Sequence, residues 1–112
     1  MQIDSNDVEG VKRVALSGRL DTAGIGAGEL NFTALVVGAG RPVIIDLGEV
    51  SFIASLAVRM FISSARSLAR KGGKLVLYGA NDAVAEIIET MGLDEIVPVA
   101  ADEAGALALA RG

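Results

Sequence analysis

Apolar residues in this chain alternate between short β-type runs and longer stretches with helical spacing. Strands are predicted at 1–8, 11–17, 42–47, 74–78 and 96–99. The runs at 42–47 and 74–78 are apolar apart from one charged residue each, as in strands covered on both faces. Helices are predicted at 29–37, 55–71, 82–91 and 102–111, where apolar residues recur every three or four positions. This order predicts an α/β fold with a mixed sheet of four to five strands and about four α-helices packed against it.

Glycines place the boundaries of these elements. A tight turn at 9–10 makes the first two strands antiparallel, and 48–49 is predicted to begin a turn after the 42–47 strand. Three glycines between positions 24 and 28 weaken the start of the 29–37 helix by roughly 1 kcal/mol each relative to alanine. We therefore expect that helix to have a loose first turn, with an apolar face formed by Leu30, Ala34 and Val37.

Length and composition exclude several classes of protein. The 112 residues suit a single domain over 1–112, and a hydrophobic content of 52% is enough for a buried core. No apolar run reaches the roughly 18 residues of a membrane helix, and the N-terminal residues lack the pattern of a signal peptide. We therefore expect a cytoplasmic protein without direct membrane insertion.

The residue types that carry most chemistry are missing. The chain has no cysteine and no histidine, which removes the thiolate nucleophile, the usual general base and the commonest metal ligand. We therefore expect no enzymatic activity, no cofactor and no metal. A net charge of −4 and a count of only four aromatic residues also argue against binding of nucleic acid.

One glycine-rich segment is superficially similar to a dinucleotide-binding loop. Residues 24–28 carry three glycines, and Asp46 follows at about the distance of a ribose-binding acid. Glu29 occupies the place of the third glycine of that motif, where its charge would repel a pyrophosphate. The chain is also too short for both halves of a dinucleotide fold, so this interpretation is disfavoured.

Ser55 is the most informative single residue, because it stands where the 55–71 helix begins. Amide groups at a helix start are unpaired, and together with the helix dipole they favour a phosphate there. Arg59 follows at i+4 on the same face and is able to pair with such a phosphate. The simpler alternative is that Ser55 is only the N-cap of the helix, worth about 1 kcal/mol.

The phrase IDLGEVSFIASLAVRMF at 45–61 resembles the STAS domain, the fold of bacterial anti-sigma factor antagonists. The usual pattern is a strand ending in Asp-Leu, then Phe-Ile or Tyr-Ile, then Asp-Ser-Ser-Gly at the start of a helix. Here Ala54-Ser55-Leu56-Ala57 occupies that signature, and Gly18-Arg19-Leu20-Asp21 is similar to the family's Gly-Glu-Leu-Asp. The resemblance covers nearly the whole chain and implies a STAS fold.

The resemblance also implies a function. In that family, the serine that corresponds to Ser55 is phosphorylated by a partner kinase, which is itself an anti-sigma factor. The unphosphorylated protein binds this kinase and frees the sigma factor, phosphorylation breaks the complex, and a PP2C-type phosphatase resets it. The residues that the resemblance places at the partner surface are Asp21, Thr22, Phe52, Ala54, Ser55, Leu56, Arg59 and Ser63.

Departures from the family signature leave other roles open. Ala54 replaces the common aspartate, Leu56 replaces the second hydroxyl residue and Ala57 replaces the glycine, so any phosphorylation should fall on Ser55. The alternatives are a STAS scaffold that is never phosphorylated and the STAS subunit of a lipid-transport ABC system. Weak homodimer formation through exposed apolar surface also remains open.

Overall fold

The computed structural model describes residues 1–112 and contains one five-stranded sheet in the order β1-β2-β3-β4-β5. β1 pairs with β2 in the antiparallel sense, and all the other strand pairs are parallel, which confirms the predicted mixed sheet. The elements in chain order are β1 Gln2–Val8, β2 Val11–Leu20, α1 Thr22–Ala39, β3 Val43–Ile53, α2 Ser55–Arg70, β4 Leu75–Tyr78, α3 Asp82–Thr90, β5 Val99–Ala100 and α4 Glu103–Arg111.

Helices cover both faces of the sheet. The larger core cluster holds 22 buried residues and joins one sheet face to α1, α2 and α3, and the rings of Phe32 and Phe61 meet edge to face at 5.7 Å between α1 and α2. A second cluster of seven buried residues joins the opposite face to α4. Alternation along β3 explains the division, because Val43 and Ile45 belong to the larger cluster and Ile44 to the smaller one.

β3 is longer than the sequence pattern predicts. The predicted turn at 48–49 is wrong, because the strand continues to Ile53 and stays paired with β2. Two register shifts in this pairing give β3 one extra residue each, and at the first of them the Gly48 amide donates a 2.8 Å hydrogen bond to Asp46 Oδ1. A bulge of this kind lets a strand continue past a glycine by satisfying the amide that leaves the ladder.

α1 also differs from its prediction. It begins at Thr22 and runs without interruption through the glycines at 24–28, so this segment is helical and forms no phosphate-binding loop. The expected apolar face is wrong as well: Leu30 is 90% exposed, and the helix buries Ile25, Gly28, Phe32 and Val36. Gly28 is buried because the side chain of Met1 packs over it, and an added Cβ there would clash with Met1 Cε.

The C-terminal part follows the prediction with one shift. A 3₁₀ turn occupies Leu93–Glu95, and β5 is only the pair Val99–Ala100, whereas the pattern predicts a strand at 96–99. α3 and α4 lie where they are predicted. None of the helices combines the length and the hydropathy that crossing a membrane requires.

Candidate functional site

The candidate site lies at the C-terminal ends of β2 and β3. These two strands extend further than β4, whose last residue, Tyr78, is paired with Asp46 of β3. Leu20 is paired with Ile53 in the parallel register, and the Ala54 amide donates a 2.9 Å hydrogen bond to the Leu20 carbonyl. This single backbone bond ties the segment that leads into α1 to the segment that leads into α2. Asp21 and Ser55, each one residue further along the chain, therefore follow neighbouring segments at this edge of the sheet.

Ser55 is exposed and is the first residue of α2. The interpretation of Ser55 as the N-cap is wrong, because Ala54 has the extended dihedral angles of a cap (φ −90°, ψ 166°) and Ser55 is already helical. An alanine side chain cannot accept a hydrogen bond, so α2 has no side-chain cap. The other three helices each have one, provided by Asp21, Asn81 and Asp102.

The uncapped end of α2 leaves hydrogen-bond donors free. The amides of Ser55 and Leu56 have no acceptor within the chain, whereas those of Ala57 and Val58 donate to the Ala54 carbonyl. Free amides at the positive end of a 16-residue helix form a suitable environment for an anion. A phosphate on Ser55 would be attached beside these donors.

Asp21 and Thr22 form the neighbouring helix start. Asp21 Oδ1 accepts a 2.8 Å hydrogen bond from the Gly24 amide, and Arg19 Nε lies 3.5 Å from Asp21 Oδ2. The hydrogen bond from Gly24, supported by Arg19, holds the pKa of Asp21 below its usual value, so this carboxylate is charged at neutral pH. Thr22 is exposed as the first residue of α1.

Phe52 lies under Arg19, with the guanidinium carbon 4.5 Å from the ring centroid. Sequence reasoning singled out Phe52 but did not assign a role to Arg19. The contact arises because Arg19 is opposite Phe52 in the sheet, and this register depends on the second bulge in β3. The arginine in the segment GRLD is the one signal in the sequence that pointed to this residue.

The remaining predicted residues lie along the outer side of α2. Leu56, Arg59 and Ser63 line a groove of about 610 Å³, to which α1 contributes Glu29. Leu56 is half-buried, and Arg59 and Ser63 are exposed. The predicted residues therefore fall into two adjoining groups, one at the strand ends with Asp21, Phe52 and Ser55, and one in this groove.

Asp46 is not part of the site. Asp46 lies within β3, and its Oδ1 accepts a hydrogen bond from one amide, that of Gly48. Its other oxygen accepts a hydrogen bond from Arg13, whose Nε donates to the hydroxyl of Tyr78 at 2.9 Å. Burial raises the pKa of Tyr78, and this cluster lies on the sheet face that α4 covers.

Known proteins share both the sequence pattern and the fold. The STAS domain family matches residues 2–106. BtrV of Bordetella bronchiseptica, assigned as an anti-sigma factor antagonist, is 30% identical over 100 residues, which cover 89% of this chain and 86% of BtrV. The chain therefore belongs to the STAS domain family, and its relatives include proteins named anti-sigma factor antagonists.

Solved structures agree in fold over almost the whole chain. An anti-sigma factor antagonist from Mycobacterium paratuberculosis superposes with a TM-score of 0.88 at 24% identity, covering 99% of this chain and 94% of that one. The antagonist SpoIIAA in its unphosphorylated form gives a TM-score of 0.77 at 20% identity, with 99% and 97% covered. Phosphorylated SpoIIAA of Bacillus gives 0.66 at 16% identity, with 96% and 99% covered. At these identities the comparison establishes the STAS fold.

Proposed function

We propose that this chain is an anti-sigma factor antagonist whose binding to a partner anti-sigma factor is switched by phosphorylation of Ser55. The unphosphorylated protein binds the anti-sigma factor and so releases a sigma factor. The observation that carries the proposal is the position of Ser55, an exposed hydroxyl at the one helix start that has no side-chain cap. The names of the related antagonists, BtrV among them, support the choice of partner.

The free amides account for how the protein tolerates the modification. A phosphate adds about −1.5 to −2 charges at neutral pH and three acceptor oxygens. The amides of Ser55 and Leu56 need acceptors, and Arg59, one turn later, is in no ion pair that it would have to give up. The fold therefore accommodates the phosphate without rearrangement.

The same charge is unfavourable to a docked partner. Phe52 and Leu56 are half-buried apolar residues on either side of Ser55, so a partner that covers them also covers the serine. A partner surface packed there would have to desolvate the phosphate, which is costly unless it is fully paired. Phosphorylation therefore ejects the partner by charge and desolvation, with little change inside the STAS domain.

The cycle needs two enzymes acting on Ser55. In the proposal the anti-sigma factor is itself the serine kinase, so binding and release take place at one interface. A PP2C-type phosphatase removes the phosphate and returns the protein to its binding form. Because Leu56 stands where relatives carry a second hydroxyl, Ser55 is the single acceptor at this helix start.

Intact-mass analysis of the protein from its native host tests this proposal directly. Wild type and Ser55→Ala are purified from the same growth conditions and compared for a phosphate adduct. An adduct that is present in wild type and missing in Ser55→Ala supports the switch. Purified Ser55→Asp should then bind the anti-sigma factor more weakly than wild type. Ser5→Asp, at an exposed serine of β1 that does not line the groove beside α2, serves as the matched charge control.

No adduct under any growth condition would contradict the switch. The altered signature Ala54-Ser55-Leu56-Ala57 then favours a STAS protein that grips its partner permanently, as a signalling scaffold or as the subunit of a lipid-transport ABC system. Co-purification separates these two, since a scaffold brings down signalling proteins and a subunit brings down a transport ATPase.

A further inference from the structure

The arginines of α2 differ from all the others in the chain. Of seven arginines, the four outside α2 (Arg13, Arg19, Arg41 and Arg111) are each in an ion pair. Arg59, Arg66 and Arg70 are in none, and α2 contains no acidic residue. A helix with a charge of +3 is thus exposed on a chain whose net charge is −4.

These arginines form one stripe along the helix. Arg59, Ser63, Arg66 and Arg70 are spaced by four, three and four residues, which places them on one face. At 1.5 Å per residue the stripe is about 16 Å long. The stripe lines the groove of about 610 Å³ already described, together with Ser67, with Glu29 of α1 and with three apolar residues, Leu56, Met60 and Ile62.

We propose that this groove binds an acidic amphipathic helix of the anti-sigma factor. The inference rests on the proposed function and extends its interface from Ser55 along the whole of α2. An amphipathic helix binds a groove by laying its apolar face on the apolar residues there, here Leu56, Met60 and Ile62. The arginines beside them select a helix that carries acidic residues. About three turns of helix match the length of the stripe, and acidic residues at the complementary spacing would pair with Arg59, Arg66 and Arg70.

The location of the groove links this docking to the switch. Leu56 and Arg59 belong to the groove and lie within the first turns after Ser55. An acidic helix in the groove therefore ends next to the phosphorylation site. Phosphate and docked helix carry the same sign of charge and compete for Arg59, so phosphorylation weakens the binding of the helix as well as the contacts at the strand ends.

A second copy of the chain fits the groove less well. Its own acidic helix is α3, in which the first and last of Asp82, Glu86 and Glu89 are seven positions apart, or about 10 Å. This is shorter than the stripe of about 16 Å and leaves one end of it without a partner. Self-association through the groove gives a different result in the experiment that follows.

The test reverses the far end of the stripe and leaves the Ser55 end intact. The full chain carrying Arg66→Glu with Arg70→Glu is compared with wild type for binding to each anti-sigma factor kinase of the source organism, purified singly, by isothermal titration calorimetry. The matched control is Lys71→Glu, an exposed residue that follows α2 but does not line the groove. Circular dichroism verifies that the exposed substitutions leave the fold unchanged.

The double reversal should weaken binding at least about tenfold, and Lys71→Glu by less than about threefold. Wild-type affinity should fall as salt is raised from about 0.05 to about 0.5 M, and that dependence should be smaller in the double variant. Reversing acidic residues on one helix of the kinase should restore binding to the double variant.

Two results would overturn the inference in different ways. If wild type binds a kinase, Ser55→Asp weakens the complex and the double reversal does not, the proposed function stands and the groove is not used. If wild type binds none of the kinases, the proposed function fails and the inference with it. Salt-sensitive self-association of wild type that the double reversal removes, with kinase binding unchanged, would place a second copy in the groove.

Discussion

The uncapped start of α2 leads to a quantitative prediction about stability. Ala54 has the same extended backbone as the three residues that do cap helices, with φ −90° and ψ 166° against φ −69° and ψ 171° at Asn81. A capping side chain placed at Ala54 therefore needs no change of backbone. Ala54→Asn and Ala54→Asp should both stabilise the protein by satisfying an amide that is now unpaired.

The magnitude follows from the bond gained. An asparagine cap is worth about 1 kcal/mol relative to alanine, and the carboxylate of aspartate adds about 0.3–1 kcal/mol from the helix dipole. For a domain of this length, about 1 kcal/mol corresponds to a rise of roughly 4 °C in the unfolding midpoint. The extra gain of aspartate over asparagine should disappear as the pH falls below about 4, because a cap whose pKa is lowered by folding stabilises only while it is charged.

Thermal and urea denaturation followed by circular dichroism measure these differences. Ala85→Asn is the control. Ala85 is solvent-exposed and lies in the middle of α3, where asparagine forms no cap and lowers the free energy of unfolding by up to about 0.7 kcal/mol. Midpoints that are unchanged or lower in both Ala54 variants would refute the geometry described for this end of the helix. The assignment of free amides to Ser55 and Leu56 would then be wrong.

Three further predictions concern the fold around the site. Gly26→Ala should stabilise α1 by about 0.5–1 kcal/mol, because an added Cβ there meets no other atom. Gly24→Ala should destabilise the protein, because its Cβ would lie 2.7 Å from a backbone carbonyl oxygen, and urea denaturation of both variants measures the difference. Phe32→Ala should cost about 3–5 kcal/mol and Leu30→Ala almost nothing in the same assay. Burial raises the pKa of Tyr78, the one tyrosine, so it should ionise above about pH 10 in ultraviolet titration. The free energy of unfolding should therefore fall as the pH rises above that value, and this fall should be smaller in Tyr78→Phe.

Elements whose evidence is local were predictable from the sequence. α2 has a regular apolar stripe on one side and arginines on the other, and it begins and ends close to its predicted bounds. β4 is a continuous apolar run between Lys74 and Gly79, and all four of its residues are buried. In both cases the pattern within the element is enough to define it.

Features that depend on pairing between elements were not predictable. The continuation of β3 through Gly48 rests on bulges opposite β2 and on the side chain of Asp46, and neither leaves a local signal. α1 has apolar residues on nearly all sides, so the sequence offered no means of choosing the face with Phe32 over the face with Leu30. The packing of the helix against the sheet made that choice.

The candidate site was predictable to the same extent. The resemblance identified Ser55 and its neighbours, but whether a serine is the cap or the first helical residue is decided by the dihedral angles of Ala54. Arg19 was overlooked because its contact with Phe52 depends on the bulged register of β3. A residue that acts through its cross-strand neighbour becomes visible only when the register is known.

The two sides of α2 also bear on how such proteins diverge. The inward side of the helix, with Val58, Phe61 and Leu68, belongs to the larger core, whereas the arginine stripe contributes nothing to that core. After a gene duplication, the outward residues are free to change sign or size at almost no thermodynamic cost to folding. Copies of this domain in one cell can thus evolve separate partners and avoid cross-talk while they keep the same core.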